Sequence, residues 1–167
     1  MTFGNKSALA LALVLAMGLP AMAQSARVLG DFRDWSSYAA DDGSGTICFA
    51  MTKPKTSDPA VEAQAYLYIT NRPGEDVAGE FNVVAGYTFQ TGSVATVSVG
   101  GQSFSLFTQG DAAWLDDSGQ SAALAAAIRA GSALTIQGTN AAGTQVIQNY
   151  SLSGATAAMN AIDAACK

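Results

Sequence analysis

Two cysteines and three adjacent acid pairs are the side chains of this 167-residue sequence whose types suit chemistry, and histidine is absent. Without histidine the usual general base near neutral pH, the base of Ser–His–Asp and Cys–His arrangements and the commonest transition-metal ligand are all missing. The acid pairs are Asp41-Asp42, Glu75-Asp76 and Asp116-Asp117. Two carboxylates flanking a bond are the apparatus of glycoside hydrolysis. Here each pair is adjacent in a Gly- or Ser-containing turn, where consecutive side chains diverge into solvent. Surface roles are therefore expected, and a carboxylate-dependent hydrolase is the least favoured reading. Asp111–Ser118 lacks the alternating acids and terminal Glu of a calcium loop. Gly43–Gly45 carries a Gly-x-Gly run without the helix that a phosphate loop requires. No catalytic residue, metal site or cofactor is expected.

Cys48 and Cys166 have no C-x-x-C spacing, which argues against redox-active thiols. In an oxidising compartment an even count reads as a disulfide, and two cysteines allow one intramolecular pairing. It would tie an early strand to the last turn of the chain. Closing a loop of that length stabilises by about 4–5 kcal/mol in the chain-entropy model, less any strain.

Among the aromatics, Trp35, Tyr38, Tyr66, Tyr68, Tyr87 and Trp114 either line a ligand groove or fill the core, and core filling is the general expectation. Tyr66 and Tyr68 are the expected exceptions. Leu67 and Ile69 alternate with them and must face the core, so both tyrosines turn outward. With Arg72 at the following turn they form the candidate contact surface, Tyr and Arg being the types enriched at binding hot spots. The alternative is that the rings pack under the Lys53–Ala60 loop and only cover the sheet.

These residues must be held by a mainly β frame. Thr46–Met51, Gln64–Thr70, Glu80–Ala85, Val94–Val99, Gln102–Phe107, Leu134–Gln137 and Gln145–Leu152 read as strands, following a polar lead-in over Gln24–Asp34. Ala39–Gly45 reads as an Asp/Gly turn, Thr52–Asp58 as a loop and Asn71–Gly74 as a turn. Gly100-Gly101 between two strands signals a hairpin, because primed turns need positive φ. A second hairpin is expected across Gly138–Gly143. Two helices interrupt the strands. Ser121–Ala130 begins after a serine suited to capping and stops at Gly131 in the C′ position, and Ala155–Ala165 ends the chain. Strands at intervals of about ten residues with turn chemistry between them suggest a β-sandwich.

Residues 1–23 read as a secretory signal peptide: Lys6, an apolar run over Ala8–Leu19, and Ala21-Met22-Ala23 before a cut at Gln24. The run is short against the ~20 residues that cross a bilayer, and Pro20 follows it. Cleavage leaves 24–167 as one domain without a membrane span. The full chain carries a net charge of −5, and cleavage removes Lys6 alone among the charged groups. The remaining bases, Arg27, Arg33, Lys53, Lys55, Arg72, Arg129 and Lys167, are scattered, which excludes nucleic acid as a partner. The sequence specifies no oligomeric state.

The order of several short motifs carries a resemblance. D-W-S-S-Y at Asp34–Tyr38, I-C-F-A-M-T-K-P-K at Ile47–Lys55 and Y-I-T-N-R-P-G at Tyr68–Gly74 come first. F-S-L-F-T-Q-G-D-A-A-W at Phe104–Trp114, I-R-A-G-S at Ile128–Ser132, Q-G-T-N-A-A-G-T at Gln137–Thr144 and N-Y-S-L-S-G at Asn149–Gly154 follow, before a terminal cysteine. Together they resemble the invasion-associated locus B family of secreted bacterial proteins over nearly the whole of 24–167. The resemblance implies an immunoglobulin-like β-sandwich with a short inserted helix and a C-terminal helix, in the periplasm or on the surface of a Gram-negative bacterium. It supplies no catalytic residues. Relatives often carry a basic residue in the loop before G-T, where this chain has Ala141-Ala142, so no cationic contact is expected there. The function implied is a non-catalytic envelope or surface protein that binds an envelope or host protein or a polysaccharide, linked to host-cell invasion in pathogenic relatives. A structural or stress-related envelope protein without a discrete ligand is the alternative.

Overall fold

Apolar side chains recur at every second position of the strands, and the side that carries them is the buried side. A computed structural model describes residues 26–41, 43 and 45–167, so the proposed signal peptide and Asp42 lie outside the described residues. In the first half the strands are β1 (Arg27–Phe32), β2 (Trp35–Asp41), β3 (Thr46–Thr52), the short β4 (Thr56–Asp58), β5 (Tyr66–Arg72) and β6 (Val77–Val84). The second half holds β7 (Val94–Val99), β8 (Gln102–Gln109), β9 (Ala112–Leu115), α1 (Ser121–Ala130), β10 (Ala133–Thr139), β11 (Gln145–Ser151) and α2 (Ala155–Ala165).

All eleven strands join one antiparallel sheet in the order β1-β2-β3-β5-β6-β9-β8-β7-β10-β11-β4. The sheet folds over so that the inward sides of both halves share a single core, which includes Trp35, Leu67, Ile69, Phe81, Leu106, Ile136 and Tyr150. Bonds between the halves close it. Trp35 Nε1 donates to the Ser151 carbonyl at 3.0 Å, and Gln148 Nε2, fully buried, donates to the Ala85 carbonyl at 2.8 Å. The architecture is the expected mainly β sandwich with an inserted helix and a C-terminal helix. No helix among the described residues is long and apolar enough to cross a membrane.

The Gly100-Gly101 hairpin forms as expected, with both glycines at positive φ (59° and 79°) and Val99 opposite Gln102. Several local expectations are corrected. Ala39 and Ala40 belong to β2, because the period-two burial continues through Ala39 and the turn starts only after Asp41. The Thr52–Asp58 loop contains β4, which pairs with β11 through Asp58 opposite Ile147; Pro54 and Pro59 flank so short a strand that they conceal it. The segment weighed as a calcium loop contains β9. No serine side chain caps α1; Asp117 instead caps the 3₁₀ turn that precedes it, accepting from Gly119 N at 2.9 Å. Gly131 is extended rather than left-handed, and its lack of a side chain serves packing. A Cβ there would press on Leu152, Val99 and the Ala127 carbonyl.

The C-terminal helix α2 packs on the inward face of the β1–β2–β3–β5 half, burying Ala155, Ala158, Met159 and Ile162. Gly154 starts it at φ 96°, where a Cβ would overlap the Phe32 carbonyl oxygen. The buried Ser37 hydroxyl donates to the Ala158 carbonyl at 2.9 Å. At the far end Cys166 bonds the wholly buried Cys48 of β3, with the two Cα atoms 5.9 Å apart and a separation of 118 positions in sequence. The expected disulfide is thus formed. Cys48→Ala should lower unfolding stability by about 2–5 kcal/mol, the range for a native disulfide removed from a small secreted domain. Urea denaturation of the oxidised parent, the reduced parent and the variant measures it. Equal midpoints for all three would show that the bond contributes nothing.

Candidate functional site

The strand pleat that sends Leu67 and Ile69 inward sends Tyr66 and Tyr68 to the outer face of β5, both half-buried. Neighbouring strands add rings to the same face. Tyr38 of β2 lies opposite Phe49 of β3, and their rings stack with centroids 5.2 Å apart. Phe49 meets Tyr68 edge-on at 6.1 Å, and Tyr68 lies 6.0 Å from Tyr66. The Lys53 ammonium sits 5.5 Å from the Tyr66 ring centroid, within cation–π range. Packing among the rings pushes the Tyr68 phenol pKa up, first through desolvation and then through the neighbouring Tyr66. It stays a neutral hydrogen-bonding group at physiological pH.

Arg72, at the other end of β5, is brought to the same strand but not into the ring cluster. Its guanidinium makes a bidentate pair with Glu80 of β6, at 2.6 and 3.2 Å, and a third bond to Glu75 at 3.1 Å. The bonds to Glu80 raise its pKa further and keep it charged. Its charge is thus largely answered within the fold, and it clamps β5, β6 and the 3₁₀ turn at Pro73–Glu75 together. Glu75 of the second acid pair is consumed in this clamp. In the third pair Asp117 accepts from Gly119 N and Gln120 Nε2 at 2.9 and 3.1 Å. Asp41, of the first, accepts from Gly43 N at 2.9 Å.

Sequence reasoning missed part of this face. Phe107 of β8 stacks on Trp114 of β9 with centroids 5.4 Å apart and planes 18° from parallel. Tyr68, Asn82, Trp114 and Phe107 lie directly opposite one another on β5, β6, β9 and β8, forming one row across the sheet. The signal for Phe107 was present in the alternation of β8, where Phe104 and Leu106 face inward. The signal for Trp114 was hidden because β9 was not recognised as a strand. Trp35, weighed as a groove residue, is instead core, 1% exposed. Beside the stacked pair, β6 parts from β9 and leaves a cleft of about 650 Å³.

The fold is a one-sheet β-sandwich closed by a disulfide, with aromatic rings gathered on its outer face. The family comparison is specific: the model described as "Invasion associated locus B (IalB) protein" matches residues 35–163, and the chain belongs to that family. Among solved structures it is similar to invasion associated protein B from Bartonella henselae. Identity there is 17% and the TM-score 0.57, covering 81% of this chain and 96% of the other, so the likeness is one of fold. No curated protein matches.

Tyr87 lies between core and surface, its ring 4.8 Å from Phe89. Its hydroxyl is buried without a hydrogen-bond partner among the described residues, and desolvation pushes its pKa up to about 12. A phenol raised above its unfolded value near 10 leaves stability intact below about pH 10, and that stability is lost as pH climbs through about 12. Burial raises Tyr150 in the same direction. Tyr87→Phe removes a buried hydroxyl that bonds nothing, so it should stabilise by about 1 kcal/mol at pH 7. It should also blunt the alkaline loss. Urea midpoints at neutral and alkaline pH test both, and a variant less stable than its parent at pH 7 would show that the hydroxyl is paired in solution.

Proposed function

We propose that the protein is a non-catalytic component of a Gram-negative cell envelope. It would be exported by cleavage before Gln24, act in the periplasm or at the outer surface as the single domain 24–167, and bind an envelope or host protein or a polysaccharide. The observation that carries the reading is the ring cluster Tyr38–Phe49–Tyr68–Tyr66 on the outward side of the sheet, where the core cannot use it. Rigid aromatics with polar tips on a strand face make contact area at small entropic cost. Tyr66 and Tyr68 are the proposed contacts, with Arg72 as an orienting neighbour. The disulfide and family membership support an oxidising compartment outside the cytoplasm. Through the Bartonella relative's name, they also support a link to host-cell invasion in pathogenic members.

The test is affinity capture from envelope extract and from host-cell surface extract on the immobilised mature chain, compared with a Tyr66→Ala, Tyr68→Ala double variant. The parent should retain a saturable partner and the folded double variant should not, each truncation costing on the order of 2 kcal/mol. A folded variant that keeps the partner rules out this face. A variant that fails to fold shows that the rings serve the sheet. A parent that retains nothing saturable from either extract favours the structural or stress-related reading.

A further inference from the structure

The cleft beside Phe107 and Trp114 lies apart from Tyr66 and Tyr68 and has a chemistry of its own. It opens because β6 pairs with β9 only at Asn82–Val84, while Asp76–Phe81 diverge from Leu115 and the turn beyond it. The same stretch of β6 is irregular toward β5 as well. The β5–β6 register shifts between Thr70 and Arg72, and Gly79, at φ 66°, turns its N–H onto Asn71 Oδ1 at 2.8 Å. Into the resulting space the stacked rings present a flat apolar platform, with Phe107 44% exposed. Around it stand an amide, two hydroxyls and a carboxylate: Gln109, Ser118, Ser121 and Asp76. No basic side chain lines the cleft among the described residues, and the Glu80 carboxylate on its wall is already held by Arg72.

We infer that this cleft binds a neutral oligosaccharide. The inference rests on the non-catalytic binding reading above and adds a second contact on the same face. A pyranose ring offers an apolar C–H face and a rim of hydroxyls. The near-coplanar phenyl and indole take the first by dispersion and C–H···π contact. The amide, hydroxyls and carboxylate exchange hydrogen bonds with the second. The volume fits a ligand of one to a few rings. Charge decides against sulfated, phosphorylated or sialylated polymers, because Asp76 lines the cleft and the lining holds no basic side chain among the described residues.

The unpaired stretch of β6 suggests a rival occupant, an extended peptide added as a strand. Gly79 opposes it. The positive φ lies in the middle of that stretch and interrupts the regular strand edge that an added peptide strand would need. The row Phe107–Trp114–Asn82–Tyr68 also runs across the strands at a spacing of about 4.8 Å per step. That is the direction a polymer leaving the cleft would take, whereas a paired peptide runs along them.

The protein has two tryptophans, and Trp35 is buried and bonded to Ser151, so a sugar-dependent change in emission reports Trp114. The experiment applies the mature chain to an array of neutral, sialylated and sulfated oligosaccharides, then titrates the best neutral tetrasaccharide while following emission. Binding should be confined to neutral sugars, insensitive to salt and saturable. Trp114→Ala, followed by calorimetry, and Phe107→Ala should each weaken it about tenfold or more. Phe107 is exposed and outside the core, so its truncation keeps the test open if Trp114→Ala fails to fold. Three results would overturn the proposal: no neutral sugar bound, binding confined to anionic sugars, or undiminished affinity in folded Phe107→Ala. A chain that binds no neutral sugar yet loses its extract partner on Tyr66→Ala, Tyr68→Ala would sink the sugar site alone.

Discussion

Successive residues of a strand point to opposite sides of a sheet, and this constraint assigns nearly every side chain in the molecule its role. On β5 it places Leu67 and Ile69 in the core and Tyr66 and Tyr68 on the outer face; on β8 it separates Leu106 from Phe107. Because the sheet folds over into one core, its inner side is satisfied by its own second half and by the two helices. Among the described residues no helix or second layer covers the outer side. Rings placed there gather across strand boundaries through cross-strand neighbours, as Tyr38, Phe49 and Tyr68 do. Aromatic residues in the core need no explanation beyond burial, but a ring cluster on the wet side does.

A folded-over sheet with small inward residues, such as Ala50, Ala95 and Ala113, needs something to fill and close it. The C-terminal helix does this on the β1–β5 half, and its placement is fixed at both ends. Gly154 lets the chain turn tightly against the Phe32 carbonyl, and Cys166 bonds Cys48 in the middle of β3. Between them the buried Ser37 hydroxyl finds its acceptor on the helix backbone, which removes the penalty of an unpaired buried group. An 11-residue helix rich in alanine has little stability alone. Tertiary contacts hold it, and the disulfide makes their loss costly.

Much of this was legible beforehand. Alternation identified most strands, Gly100-Gly101 announced its hairpin, and both helices fell where alanine-rich stripes met glycine. The cysteine pairing followed from count and compartment, and the order of short motifs identified the family. β1, read as a polar lead-in, was hidden by a polar-flanked sequence with no fully buried residue, although its partner β2 follows directly. By contrast, β4 and β9 lie in segments defined by partners distant in sequence. β4 is three residues between prolines and exists because β11 offers an edge. β9 is four residues in an Asp-rich stretch and forms because β8 and β6 flank it. Missing β9 meant missing where Trp114 points, and with it the stacked pair. Arg72, expected in a turn over Asn71–Gly74, is instead the last residue of β5, and its engagement with Glu75 and Glu80 follows a register shift that no local pattern displays.

The same register shift links the frame to the face. Asn71, inward and buried, donates to Asp163 of α2 at 2.9 Å and accepts from Gly79 N at 2.8 Å. Asp163 in turn accepts from Arg129 of α1 at 2.8 Å. One short chain of hydrogen bonds therefore runs from both helices to Gly79 of β6. A buried amide with both of its functions used is costly to disturb, since freeing either partner strands a polar group. Gly79 sits between Ala78 and Glu80 of the cleft lining, so the helix whose end carries Cys166 is hydrogen-bonded through Asn71 to the strand that forms that wall.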